Sequence, residues 1–140
     1  MKWNPHLTFD GRCKEAFEFY ENCLGGKVVA MVGYADMPNS QDLPAGMRGR
    51  VMHARLVLGD QVLMGCDAHP DMGQYDGIKA CDVAVQVETP DEAERLFAAL
   101  AEGGAVTMPV GETFWAVRFG MLVDKFGVPW MVNREKAAGM

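Results

Sequence analysis

The sequence predicts an α+β fold: two βαβββ modules whose sheets curve round a central cleft, an incompletely closed, β-barrel-like arrangement with flanking helices. Three observations carry this expectation. The pattern strand–helix–strand–strand–strand occurs twice within 140 residues. The two runs match at an offset of about 78 residues, which marks a repeated supersecondary unit: Phe19 corresponds to Phe97, Gly25-Gly26 to Gly103-Gly104, Val28 to Val106, and Val32-Gly33 to Val110-Gly111. The stretch Glu112 to Val132 (ETFWAVRFGMLVDKFGVPWMV) reads as two strands joined at Asp124-Lys125-Phe126-Gly127. There an Asp can hydrogen-bond its own backbone two residues on, and Gly127 can take a positive φ. One four-stranded sheet with one helix is a small unit, and two such units can cover each other's open faces. The sequence is expected to form a single domain, with module one at about 1–67, a linker at 68–80 and module two at about 81–135.

The elements follow in order. Asn4 to Phe9 is a strand with Leu7 and Phe9 on one face and His6 and Thr8 on the other. After the Asp10-Gly11 turn, Cys13 to Leu24 is a helix with Ala16, Phe19, Tyr20 and Cys23 at helical spacing, ended by Gly25-Gly26. Lys27 to Gly33 is a β-rich strand. Tyr34 to Arg50 is a long irregular loop, and loops of that length serve as lids, interface arms or excursions. Val51 to Leu58 and Gln61 to Cys66 form a hairpin about Gly59-Asp60. Asp67 to Lys79 is a polar connection. Asp82 to Val87 is a strand, and Pro90 opens a helix with Asp91 and Glu92 at its positive end. Leu96, Phe97 and Leu100 form that helix's apolar face, Gly103-Gly104 ends it, and Ala105 to Val110 is the strand before the final hairpin.

Composition is ordinary for a globular chain, 49% hydrophobic and 23% charged. A net charge of −6 with no basic cluster argues against a nucleic-acid partner. No apolar run reaches the length of a membrane span. The start, MKWNPHLTF, enters a strand pattern at once and lacks a secretion signal, so a cytoplasmic location is expected. The four cysteines (13, 23, 66 and 81) form no CxxC pair, and reduced thiols are the expectation. The eleven methionines suit core filling, an adaptable apolar pocket or a subunit interface.

The paired βαβββ repeat resembles the vicinal oxygen chelate superfamily, which includes glyoxalase I, extradiol dioxygenases and bleomycin-resistance proteins. The run ETFWAVRFG-x-x-x-DKFGVPWMVN sharpens the likeness. With NPHLTF-x-G near the start, EAFEFY-x-x-x-LGG in the first helix and HARL before Gly59, it is similar to the PhnB-like branch, labelled 3-demethylubiquinone 3-methyltransferase-like. A methyltransferase built on an S-adenosylmethionine-binding Rossmann domain would need a Gly-rich loop after its first strand, whereas Gly103-Gly104 follows a helix.

The resemblance implies four metal-ligand positions, held here by His6, Met64, Asp82 and Met131. Two thioethers, an imidazole and a carboxylate suit a hard divalent ion poorly, so no cofactor is expected; a divalent metal, if held, would use His6 and Asp82. His6, His53, Met64, Trp115 and Phe119 are the candidate lining of a small-molecule cleft, with Glu112 as candidate general acid or base. His69, with Asp71 nearby, suggests acid–base chemistry in the linker or a solvated loop histidine. The expected function is small-molecule binding by a homodimer, as the superfamily implies. The alternatives are a metal-dependent lyase, isomerase or dioxygenase of glyoxalase type, and a drug-sequestering protein of bleomycin-resistance type, where a negative charge would attract a cation.

Overall fold

In the computed structural model, which describes residues 1–38 and 40–137, the chain divides into two units, Met1–Gly77 and Ile78–Met140. Each is an open, four-stranded mixed sheet with one helix against one face. The class is α+β, and neither sheet closes on itself.

The first unit contains β1 (His6–Phe9), α1 (Cys13–Leu24), β2 (Lys27–Gly33), β3 (Val51–Leu58) and β4 (Gln61–Asp67). The strand order is β1-β4-β3-β2. β1 runs parallel to β4, with His6 opposite Met64, and the other pairs are antiparallel. Helix α1 buries Cys13, Ala16, Phe17, Tyr20 and Cys23, a stripe at i, i+3, i+4 and i+7 spacing. The stripe therefore takes Phe17 alongside Tyr20, whereas the sequence pattern pointed to Phe19 alongside Tyr20. Phe19 flanks the stripe, half-buried, with its ring 5.8 Å from that of Tyr20.

The Phe17 ring lies directly on the backbone of Gly65 in β4. A Cβ there would sit 2.7 Å from Phe17 Cε1 and 2.8 Å from the Leu7 carbonyl oxygen, so the contact requires glycine. Residues 34–50 carry three short 3-10 turns. They are held down by buried Tyr34 and Met47, and the Tyr34 hydroxyl donates to the Asp67 carbonyl at 2.9 Å.

Asp67, at the end of β4, is 1% exposed. Its Oδ1 accepts the backbone N–H groups of Gly11 (2.8 Å) and Cys13 (3.0 Å), and its Oδ2 accepts that of Val51 (2.9 Å). One carboxylate thus ties the β1–α1 turn, the positive end of α1 and the start of β3 to β4.

The second unit contains β5 (Val83–Gln86), α2 (Pro90–Ala101), β6 (Ala105–Gly111), β7 (Ala116–Val123) and β8 (Pro129–Glu135), in the order β5-β8-β7-β6. Thr89 caps α2, its side chain accepting from Glu92 N–H at 3.1 Å, and Pro90 occupies the first turn. Phe97 packs on Gly120 of β7 as Phe17 does on Gly65; a Cβ at Gly120 would lie 2.6 Å from its ring. The helices of the two units begin at Cys13 and Pro90, and the strands after them at Lys27 and Ala105. The repeat therefore slips by one residue between helix and strand. In register, Phe97 corresponds to Tyr20.

The first strand of the last hairpin is shorter than its sequence pattern, and the second, β8, runs on past Val132 to Glu135. β7 begins at Ala116, because Thr113 closes a turn with it: Thr113 N–H donates to the Ala116 carbonyl, and Ala116 N–H to Thr113 Oγ1, each at 3.0 Å. Glu112 to Trp115 is not strand, and Phe114 and Trp115 form a bend. The turn itself forms as its residues dictate. Asp124 Oδ1 accepts Phe126 N–H (2.8 Å) and Val128 N–H (3.0 Å), its Oδ2 accepts Trp130 Nε1–H (2.8 Å), and Gly127 has φ +89°. Among the described residues no helix is long and apolar enough to cross a membrane.

Asp67→Asn keeps the shape of the side chain but replaces one acceptor oxygen with a donor facing backbone N–H. It is expected to lower stability by about 2–4 kcal/mol in urea unfolding.

Candidate functional site

In each unit the helix covers one sheet face, and pairing register identifies the other. In the first sheet, Gly65 lies under Phe17, so its partner Ala54 and the next pair, Leu56 and Leu63, face α1. The alternate residues face away: His6 and Thr8 of β1, Met64 and Cys66 of β4, His53 and Arg55 of β3. The sequence candidates His6, His53 and Met64 therefore share the helix-free face. His6 is exposed, and His53 and Met64 are half-buried. Arg55, directly opposite Met64, and Thr8, whose hydroxyl lies 3.9 Å from Cys66 Sγ, belong to the same face. Both lie in the runs NPHLTF and HARL, and strand parity places them on the face of His6 and His53.

In the second sheet, Gly120 and Val132 face α2, as do Leu122 and Trp130. Facing away are Phe119 opposite Asn133, Met121 opposite Met131, Met108 opposite Met121, and on the edge strand Ala84 and Gln86, opposite Met131 and Asn133. Trp115, in the bend before β7, brings its ring edge-on to Phe119, centroids 5.2 Å apart, and Phe114 stands 4.8 Å from Trp115. Trp115 is 41% exposed and Phe114 87%. The structure thus joins Trp115 and Phe119 in one aromatic row. It adds Asn133 and Gln86, whose side chains bond to each other at 2.8 Å. Glu112 lies just before the bend with its side chain mostly exposed, 3.5 Å from Lys136 Nζ, as a solvated, ion-paired carboxylate.

The implied metal positions are divided between the two units. His6 pairs with Met64, and Met131 with Ala84, while Asp82 stands exposed just before β5. Among the described residues no three His, Cys, Asp or Glu side chains gather into a group fit for a metal. A donor set rich in thioether does not fit a hard divalent ion.

The first unit also has an open groove of about 450 Å³, lined in part by Asp10, Met47, Arg50, His69 and Tyr75. Its polar groups largely satisfy one another. Arg50 donates to Asp10 Oδ1 (2.7 Å) and to the Ala68 carbonyl (3.0 Å), and the Tyr75 hydroxyl donates to the Thr8 carbonyl (2.9 Å). His69 Nδ1 accepts Asp71 N–H at 3.1 Å and lies 3.5 Å from Asp71 Oδ2, and the ring lies 5.4 Å from that of Tyr34. Burial raises the pKa of both Tyr34 and Tyr75. Arg50 ends a loop without periodicity, and no sequence signal pointed to it.

Over residues 1–133 the chain matches the family described as 3-demethylubiquinone-9 3-methyltransferase. It is 35% identical to Protein YjdN of Escherichia coli, covering 97% of each chain. The crystal structure of protein PA1353 from Pseudomonas aeruginosa is 50% identical, with a TM-score of 0.88 over 96% of this chain and 98% of that one. A Bacillus cereus structure described as a putative 3-demethylubiquinone-9 3-methyltransferase, PhnB protein, is 29% identical, with a TM-score of 0.77 over 96% and 99%. A glyoxylase/bleomycin resistance protein/dioxygenase domain from Frankia, 17% identical with a TM-score of 0.68 over 97% and 98%, shares the fold.

Thiol chemistry divides cleanly. Burial, and after it the Asp67 carboxylate, pushes the Cys13 thiol far above its ordinary pKa. Burial also raises Cys66, against the lowering effect of its Thr8 hydrogen bond. Cys23 is buried and Cys81 exposed. Since the thiolate is the reactive species, iodoacetamide at mildly alkaline pH is expected to label Cys81 alone in the folded protein and all four cysteines after denaturation, read by mass spectrometry.

Proposed function

Because this chain belongs to the PhnB-like family, described as 3-demethylubiquinone-9 3-methyltransferase, and has the glyoxalase/bleomycin resistance/dioxygenase fold, we propose that it binds a small molecule on a helix-free sheet face without a metal ion. One observation carries this reading. The helix-free face of the second sheet presents Phe119, Met121, Met131 and Met108, with Trp115 at its rim and a single amide pair as its central polar feature. An apolar surface with a few placed polar groups is the usual form of a ligand site, and methionine adapts to irregular ligand shapes.

Methyl transfer, which the family's description names, is not part of the proposal. β1 is followed by the Asp10-Gly11 turn, with no glycine-rich cradle, and both sheets are mixed. A metal-dependent lyase, isomerase or dioxygenase is the second reading, favoured by the position of His6 on a helix-free face; Asp82 would be the other ligand and Glu112 the base. The thioethers opposite and around these positions weigh against it. Sequestration of a cationic drug is a narrower form of the first reading, to which the net charge of −6 lends support.

A homodimer in the cytoplasm completes the proposal. Val29 on edge strand β2, and Val106 and Met108 on edge strand β6, are exposed apolar side chains of the kind an interface covers. Free cysteines suit a reducing compartment. Sedimentation equilibrium is expected to give twice the 15.3 kDa chain mass.

A thermal-shift screen of metabolites, run with and without EDTA, tests the main reading. Stabilising compounds are expected to act equally in both conditions and to lose about tenfold in affinity in Trp115→Ala and Phe119→Ala. Stabilisation that always requires an added divalent ion, and disappears in His6→Ala, would replace this reading with the metal-dependent one.

A further inference from the structure

Asn133 lies at the centre of the second sheet's helix-free face and is 6% exposed. Its Nδ2 donates to Gln86 Oε1 at 2.8 Å. Its Oδ1 is shut off from solvent and accepts no hydrogen bond, the one buried side-chain atom among the described residues in that condition. A buried carbonyl without a donor is destabilising, and folded proteins keep few of them.

Gln86 is placed differently. It is exposed and sits on β5, an edge strand with a neighbour on one side only. A carboxamide offers a donor and an acceptor side by side. The Asn133–Gln86 contact uses one of them, so it is half of a two-point amide pair, made by an exposed side chain on an edge strand.

The surroundings suit a flat partner. Phe119 is the register neighbour of Asn133 on β7, Gln86 is its neighbour on β5, and the Trp115 ring stands edge-on to Phe119. The aromatic row is preset. Lys136 N–H donates to the Trp115 carbonyl at 3.0 Å, and the Thr113–Ala116 turn fixes the bend from its other side. Preset walls reduce the ordering cost of binding.

We propose that Asn133 is the specificity-determining residue of this face and reads a planar aromatic lactam or carboxamide. The ligand stacks against Phe119 and displaces the Gln86 side chain. Its N–H donates to Asn133 Oδ1, and its C=O accepts from Asn133 Nδ2. One hydrogen bond is given up and two are made, and the orphaned carbonyl gains its donor. The inference rests on the reading that this face binds a small molecule, and it adds the chemical class.

Oxindole, which has adjacent N–H and C=O groups on a flat ring, and N-methyloxindole, which lacks the donor, are the probes. Each is titrated into the full chain and followed through the side-chain amide NMR resonances of Asn133 and Gln86. Oxindole is expected to bind about fivefold more tightly than N-methyloxindole and to shift both amides. The preference disappears in Asn133→Leu, whose Tm rises because the unpaired carbonyl is gone. Gln86→Ala, an exposed edge substitution, binds oxindole at least as tightly as the wild type and carries the test should Asn133→Leu not fold.

Equal binding of the two probes, absence of binding by both, a preference that survives Asn133→Leu, or weaker oxindole binding by Gln86→Ala would each overturn the proposal. Metabolites that require Phe119 but ignore Asn133 would overturn the amide reading alone. Metabolites indifferent to Phe119 would remove the binding face itself.

Discussion

Two buried aspartates hold the architecture in place. Each satisfies backbone or indole N–H groups that would otherwise be orphaned in the interior, where a lost partner is costly. Asp67 does this across long sequence distances, collecting the start of α1, the preceding turn and the start of β3. Asp124 does it locally, closing its own turn and reaching forward to the buried Trp130. The two are not equivalent in the repeat: one ends a last strand, and the other opens a hairpin turn. The modules share an outline but are pinned at different corners.

That difference explains what could be read from the sequence. The Asp124 turn was legible because its partners lie within six residues and its signal is a short-range motif. Asp67 read only as the first residue of a polar connection, since Gly11 and Val51 become its neighbours through the fold alone. Helical periodicity located both helices. It misassigned Phe19 because the buried stripe is set by what the sheet offers, and the gap at Gly65 accepts Phe17. The non-strand stretch from Glu112 to Trp115 read as strand because aromatic residues favour strands. The Thr113 side chain overrides that preference by capping Ala116 N–H.

The candidate site was legible in part for the same reason. Alternation along a strand is exact in period, so His6 and Thr8 could be assigned to one face from sequence. Which face the helix leaves bare is not displayed by alternation where both faces are apolar, as with Met121 and Leu122 of β7, and it emerges only from packing in the folded sheet. Asn133 and Gln86 lie 47 residues apart and become a pair only through the parallel match of β5 with β8. The Arg50–Asp10 contact in the groove of the first unit arises likewise from a loop folding back on a turn.

The seating of Phe17 on Gly65 and of Phe97 on Gly120 has a consequence for descent. Each sheet acts as a partition. On its covered side a ring rests on bare backbone, and any added carbon collides, so that side tolerates little drift. On its bare side nothing in the same unit's helix depends on which side chains are presented. Substitutions there leave the helix seat undisturbed, so a lineage can exchange one set of exposed side chains for another without rebuilding its frame. A scaffold divided in this way can keep its outline while the bare faces of its members diverge.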